Sequence, residues 1–402
     1  MTSNSEPGRV ILHCDCNNFY ASVELLKFPE LRHLPVAVAG DPEGRHGIIL
    51  AKNMAAKKMG VQTAETIWQA TRKCPGLILL PPHHDEYEAM SQRVNAIYCS
   101  VTDQVEPFSV DESWLDVTGS RNLFGDGKTI ADELRRRVRE ELGITISVGV
   151  SDNRYWAKLG SDYKKPDATT VITRENVAEI LHPLPIREML FVGRAAEQTL
   201  RRYGVMTIGQ LAQTPQNMLA KWLGKHGEGL YDMVQGIDHT PIRRWGEGET
   251  VKSVGNGMTY PHDLVGEEAW KAGLMPLCDI VGSRLRAHGL KCRTVTVQIK
   301  DPSFHVISRQ KTLPAPTNLT KVIFKEALAI LHQCWSPEAP IRLLTVTAST
   351  LCAEDEEQPA QLSFFEEDPH DDPRQARLEQ AMDEVRKRFG KDAIGTGTPK
   401  VE

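Results

Sequence analysis

The stretch VILHCDCNNFYASVELL, residues 10 to 26, joins an apolar run to a pattern with helical spacing and sets Asp15 at the join. Residues 10 to 16 read as a buried strand, and Phe19, Val23 and Leu26 then recur with a helical period. Asp and Asn are favoured at helix starts because their side-chain oxygens accept bonds from backbone N–H groups that lack an intrahelical partner. Asn17 and Asn18 can fill that role, which leaves the carboxylate of Asp15 over. Cys14 and Cys16 flank it on the opposite strand face and read as buried thiols rather than ligands.

Outward from this join, a helix from PPHHDEYEAM to about Ser100 leads into QVEPFSVDESWLDVT (104–118), two short extended runs that meet near Asp111. ADELRRRVREEL (131–142) is helical and ITISVGVS (144–151) returns to a strand. Strand, helix, strand pair, helix, strand is the ferredoxin-like plan, a split βαβ sheet with helices on one face. Residues 27 to 84 are then an insertion after its first strand.

Asp-Glu dipeptides begin at 85, 111, 132, 355 and 383, so adjacency alone carries nothing. Four of them fall in a helix start, helical charge patterns or an acidic linker. Only Asp111 and Glu112 sit between two apolar extended runs, and the plan makes that hairpin a neighbour of the first strand. Asp15, Asp111 and Glu112 should therefore meet at one sheet edge. Three clustered carboxylates repel, and Mg²⁺ with its preference for oxygen ligands removes the conflict. Two such ions roughly 3.5 to 4 Å apart can stabilise both oxygens of an in-line phosphoryl displacement. On spacing alone, a set of unrelated caps and turn residues is the other reading open here. His83 and His84 have nothing at i+4 to complete a metal site.

From about Pro183 to Trp245 the sequence is short helices punctuated by Gly. Beyond it, RTVTVQIK (293–300) and RLLTVTAST (342–350) alternate strictly around the helical run NLTKVIFKEALAILHQCW, a second α+β domain. Val295, Val297 and Ile299 should face its core, with Thr294, Thr296, Gln298 and Lys300 outward. The tail opens with AEDEEQPA, of a composition that suggests disorder. It ends in a helix with Asp372 as N-cap, Pro373 at its first position, Leu378, Met382, Val385 and Phe389 on one face, and Gly390 as stop.

At 402 residues, with 40% apolar and 25% charged, the chain reads as a multi-domain globular protein. No run approaches the roughly 18 apolar residues of a membrane span, and MTSNSEPGRV has no signal-peptide core, so a cytoplasmic protein is expected. Eight scattered cysteines without a CxxC pair suggest reduced thiols. The net charge of -5 conceals an uneven distribution: residues 250–350 carry 12 basic and 7 acidic groups, residues 351–402 carry 7 and 14. A polyanionic partner would meet the segment, not the total.

HCDCNNFYASVE and EPFSVDESWLDVT resemble the two metal-binding motifs of the Y-family (translesion) DNA polymerases, in particular the bacterial polymerase IV (DinB) type. AKNMAAKKMGV, SVGVSDNRYWAKLGSDYKKPD and GLYDMVQGID follow in matching order, so the resemblance covers about residues 8 to 350. It implies a multi-domain α+β chain. Residues 8–26 and 85–174 form a ferredoxin-like catalytic palm, 27–84 small fingers, 175–247 a helix-hairpin-helix thumb and 250–350 an α+β little finger that grips DNA. Residues 351–402 form a flexible acidic tail. The implied reaction is template-directed addition of dNTPs to a primer 3′-OH. A polymerase V-type subunit needing accessory proteins, or a non-catalytic DNA- and clamp-binding protein, are the alternatives.

The resemblance further implies that Asp15, Asp111 and Glu112 bind two Mg²⁺, that Tyr20 is a steric gate against a ribose 2′-OH, and that Phe19 packs beneath the nucleotide. Lys165 matches the family's triphosphate lysine, and Lys57 stands where an arginine is usual. Ala51 and Met54 replace a Thr and a Tyr that donate hydrogen bonds to phosphate; Lys52 or Lys57 is expected to compensate. In LFVGRAAEQTL, Gly193 matches the second glycine of the thumb hairpin, with Arg194 beside it, while Phe191 replaces the first. Lys300, Arg309 and Lys311 are the expected phosphate contacts of the little finger. QLSFF resembles the peptide by which bacterial polymerases dock on the sliding clamp, through Gln361, Leu362, Phe364 and Phe365. A monomer acting on primer-template DNA, with no membrane partner, is expected.

Overall fold

Strand β1 (Ile11–Cys16) is buried at every position, because both of its faces are covered. In this computed structural model, which describes residues 8–41, 47–248, 250–355, 373–390 and 393–395, it is followed by β2 (Val36–Ala39), β3 (Ile49–Lys52), β4 (Ile78–Leu80), β5 (Val105–Pro107), β6 (Glu112–Asp116), β7 (Ile146–Ser151) and β8 (Thr169–Val171), and then by β9 (Ser253–Leu264), β10 (Leu290–Lys300), β11 (Val306–Thr317) and β12 (Ile341–Ala353). The chain divides into two compact units, one reaching to Gly248 and the other running from residue 249 onward. QLSFF lies outside the described residues. Among them, no helix is long and apolar enough to cross a membrane.

The first unit is built on the sheet β5-β6-β1-β7-β8, in which β1 pairs antiparallel with both β6 and β7. Without β8 this is the order of the ferredoxin-like plan. Leu12, Cys14 and Cys16 point into a core shared with helices His84–Cys99 and Gly127–Leu142. Burial raises both thiols, as expected of inert packing residues. Ile11, His13 and Asp15 point to the other face, where helix Arg154–Tyr163 lies.

That helix approaches closely because β7 offers a glycine. A Cβ on Gly149 would stand 1.8 Å from the Ala157 carbonyl oxygen and 2.5 Å from the Ser161 nitrogen, and Gly160 meets the Gly149 Cα in turn. The outer side of the helix contributes Trp156 and Leu159 to a second core with Leu200, Leu211, Leu219 and Leu230. This helix thus serves both the first sheet and the core of the helical segment that follows it. The insertion carries its own small sheet, β3-β2-β4, over Ala37, Ile49, Ala56 and Ala70.

In the second unit, the sheet β11-β10-β12-β9 packs one face on helices Glu267–Ala287 and Thr320–Cys334. Val295, Val297 and Ile299 are buried as the alternation requires, but Thr294, expected outward, is buried too and meets the Thr350 hydroxyl at 3.0 Å. The pairing of β11 decides which face its cations take. Its register sets Arg309 opposite Val297 and Lys311 opposite Val295, and paired residues share a face. Both cations therefore project toward the helix side, where Lys311 ion-pairs with Glu326. They do not share the open face with Thr296, Gln298 and Lys300.

Helix Pro373–Phe389 docks on helix Glu267–Ala287 through charge rather than through its apolar stripe. Leu378 is 54% and Phe389 75% exposed, whereas Glu379 is buried. Its carboxylate accepts the Thr320 backbone N–H (2.9 Å) at the start of the neighbouring helix and pairs with the buried Arg286. Arg386 pairs with Asp279 at 2.7 Å.

Two substitutions test this packing. Gly149→Ala is expected to lose about 3 kcal/mol in chemical denaturation, since the helix backbone must retreat from the sheet. Glu379→Ala is expected to lose roughly 2 kcal/mol by leaving the Thr320 N–H without its acceptor and buried Arg286 with Asp383 as its remaining carboxylate; an unchanged denaturation midpoint would show that the tail helix is not docked.

Candidate active site

At the open end of β1 the cross-strand register places Asp15 directly opposite Glu112, and the Cys16 N–H donates to the Asp111 carbonyl at 3.0 Å. All three acids line one cleft of about 230 Å³, together with Phe19 and Lys165 from the same unit and Leu50, Ala51, Lys52 and Thr63 from the insertion. Two lysines answer the clustered charge. Lys165 Nζ lies 2.6 Å from Asp15 Oδ2 and 2.8 Å from Asp162 Oδ1. Lys158 Nζ lies 3.0 Å from Glu112 Oε2, 3.3 Å from Asp15 Oδ2 and 3.2 Å from Asp162 Oδ2.

Burial pushes the Asp15 carboxyl above its usual range, against the pull of Lys165 and Lys158. Burial raises Asp111 as well, opposed by the Ser109 hydroxyl, which donates to it at 2.8 Å. Burial would also raise Glu112, but His13 and Lys158 outweigh it and hold that carboxyl low. His13 is itself pushed down to about 4 by burial. Its Nδ1 is 2.8 Å from the Ser161 hydroxyl, and that hydroxyl donates to the Lys158 carbonyl.

The oxygen-only donor set suits a hard divalent cation. Even so, among the described residues no group of three acidic, histidine or cysteine side chains is disposed to hold an ion as it stands. The physical reason is visible in the contacts: two ammonium groups sit on the oxygens of Asp15 and Glu112, and the Asp111 carboxylate turns to Ser109.

The asparagines do not cap the helix Phe19–Lys27. Asn18 has a left-handed backbone (φ 51) and no side-chain capping bond. Asn17 is buried; its amide donates to Ser147 Oγ (2.9 Å), and its Oδ1 accepts from the Thr145 hydroxyl (3.0 Å) and the Asp167 N–H (2.8 Å). It thereby ties down the loop that carries Lys165.

Phe19 is buried at the cleft floor. Tyr20 stacks on Tyr87 with centroids 4.0 Å apart and planes 13° from parallel, and meets His84 edge-on. Tyr87 donates to the buried carboxylate of Glu24, which also bonds His83 Nδ1 at 2.8 Å. Both histidines are spent on this support. Lys52 lines the cleft and donates to Thr63 Oγ1 at 2.8 Å, while Lys57 is exposed and lies outside the lining. In the helical segment, Phe191 takes φ 65, the conformation a glycine would adopt without strain, so the hairpin turn keeps its shape. Gly193 is the N-cap of helix Arg194–Arg202, with open space where a Cβ would point. Lys158, His13 and Tyr87 were not picked out from the sequence; the i,i+4 spacing of Lys158 and Asp162 was the only signal for any of them.

A profile of the impB/mucB/samB family matches residues 14–162, one of that family's C-terminal domain matches 251–364, and one of the DNA polymerase-iota thumb domain matches 191–238. The chain is 45% identical over 392 residues to the DNA polymerase IV of Acetivibrio thermocellus, covering 97% of both chains. It is 36% identical over 398 residues to DNA polymerase IV 1 of Bacillus subtilis, covering 97% of this chain and 94% of that one. Among solved structures, a Y-family DNA polymerase chimera, Dbh-Dpo4(243-245)-Dbh, superposes with a TM-score of 0.74 at 23% identity, covering 86% of this chain and 99% of the other, a likeness of fold. With its motifs in order along its whole length, the chain belongs to the impB/mucB/samB family as a DinB-type Y-family DNA polymerase.

Proposed function

We propose that this polymerase uses the cleft between β1 and the insertion to add dNTPs to a primer 3′-OH on damaged as well as intact templates, with release of pyrophosphate. What carries this reading is the convergence of Asp15, Asp111, Glu112, Lys165 and Lys52 on the lining of one cleft. Asp15, Asp111 and Glu112 would hold two Mg²⁺, which supply charge balance for the phosphates and a lower pKa for the primer hydroxyl. The all-oxygen donor set of the three acids supports that assignment.

Lys165 lines the cleft and rests on Asp15. A triphosphate entering there offers its ammonium a denser negative charge, so Lys165 exchanges Asp15 for phosphate and frees the carboxylate oxygen. Lys52 takes over the phosphate contact that Ala51 and Met54 cannot make, as a point charge without the bidentate fork of an arginine. Phe19 supports the nucleotide from below. Tyr20, held flat against Tyr87, sets a rigid wall that an extra 2′-hydroxyl meets as a clash. Gly193 and Arg194 in the thumb, and Lys300, Arg309 and Lys311 in the little finger, contact the DNA backbone, the last two from the helix side of the sheet. Gln361, Leu362, Phe364 and Phe365 dock on the sliding clamp, which raises the local concentration of polymerase at a primer end.

Primer extension with Mg²⁺ tests the assignment residue by residue. Asp111→Ala should lower extension by about a thousandfold or more, and Tyr20→Ala should raise ribonucleotide insertion roughly a hundredfold with little effect on dNTP use. Lys52→Ala should raise the dNTP KM about tenfold, more than Lys57→Ala does. No extension by the wild type on saturating primer-template would refute the catalytic reading. Clamp-stimulated synthesis should disappear in Phe365→Ala while unstimulated synthesis persists; stimulation that survives removes the clamp assignment.

A further inference from the structure

Lys158 does not line the cleft, yet its ammonium lies within 3.3 Å of oxygens from Asp15, Glu112 and Asp162. Its side chain is 11% exposed. Lys165, by contrast, lines the cleft and is 26% exposed. The two lysines therefore have different access to a ligand. A phosphate entering the cleft can reach Lys165; Lys158 stands behind the carboxylates, on a helix whose distance from the sheet is fixed at Gly149.

We infer that Lys158 is an internal counter-cation, a positioning residue that keeps Asp15 and Glu112 side by side before any divalent ion arrives and stays there after it has bound. The inference rests on the metal-binding reading of these two acids. The cross-strand register forces them together whatever the solution contains, and a buried and a half-buried carboxylate in that arrangement destabilise the fold unless a positive charge stands near. Lys165 cannot be that charge in every state, because it leaves Asp15 for the nucleotide. Lys158 can, since Asp162 holds its ammonium from the far side. The same position has a cost for metal binding. A fixed positive charge a few ångströms from the ligand oxygens repels a divalent cation, so the site binds its metal more weakly than its acids alone would. That keeps the ions exchangeable between nucleotide additions.

The test uses the full chain without DNA or nucleotide and follows its melting temperature in EDTA and across a Mg²⁺ titration, with calorimetry for direct Mg²⁺ binding. Lys158→Met is expected to melt lower than the wild type in EDTA and to bind Mg²⁺ about tenfold tighter; Lys158→Arg should restore both values. A purely packing role would lower the melting temperature without tightening Mg²⁺ binding, and that result overturns the inference, as does wild-type melting in EDTA. A variant that stays unfolded even with Mg²⁺ present also counts against it, because the ion should replace the lost charge. If Mg²⁺ neither binds nor stabilises the wild type and the variant, the metal reading itself is lost; if it binds both equally, only the role of Lys158 is.

Discussion

The structure turns on a conflict that the chain creates for itself: the β1–β6 register puts Asp15 and Glu112 directly opposite each other at a buried sheet edge. Carboxylates so placed repel, and the remedy comes from an element that must lie almost in contact with the sheet. Helix Arg154–Tyr163 reaches that distance because Gly149 and Gly160 remove the side chains that would hold it off. Its Lys158 then stands over both acids. One glycine in a strand thus links backbone packing to the electrostatics of the cleft. The other face of the helix is spent on the core of the thumb segment, so the charge balance of the site and the seating of that segment depend on the same ten residues.

Much of this was legible before any coordinates, and what was missed has physical causes. A short apolar run revealed β1 and strict alternation revealed β10, and the odd placement of Asp111–Glu112 between apolar runs singled out the candidate site. Asn17 was read as a cap, since local spacing cannot reveal that its amide answers Ser147 and its carbonyl answers Asp167, which lie 130 and 150 residues away. Which face Arg309 and Lys311 take was not legible, because it depends on the strand's pairing partner, which β11 does not encode by itself. As an edge strand it is largely exposed on both faces, and its weak apolar pattern gave no warning. The tail helix advertised an apolar stripe but docks by Glu379, whose partner Arg286 lies 93 residues earlier.

The departures from family pattern in the insertion have a common logic. Ala51 lines the cleft without a hydroxyl, and the adjacent Lys52 lines it too, its ammonium steadied by Thr63. Desolvation and the nearby charge of Lys57 depress the Lys52 pKa, so its charged form is disfavoured where it stands. A polyphosphate would offset that cost. Weak geometric recognition by a point charge is then offset in part by a ligand-dependent electrostatic gain, and affinity in this cleft should respond to ionic strength more than a site built on neutral donors would.

The proposed gate gains its selectivity from rigidity as much as from size. A wall that yields by an ångström excludes nothing, so the ring of Tyr20 is only as discriminating as whatever stands behind it. Behind it is Tyr87, stacked nearly parallel, and behind Tyr87 is Glu24, a carboxylate with no exposed surface that takes the Tyr87 hydroxyl and is shared with His83. Glu24 belongs to the same short helix as Tyr20, one turn further on. The helix that presents the gate therefore also carries the anchor that immobilises its backing, and the aromatic stack cannot slide without breaking a buried charged hydrogen bond. Any discrimination between sugars that the proposed gate makes would then rest on Glu24, which has no exposed surface.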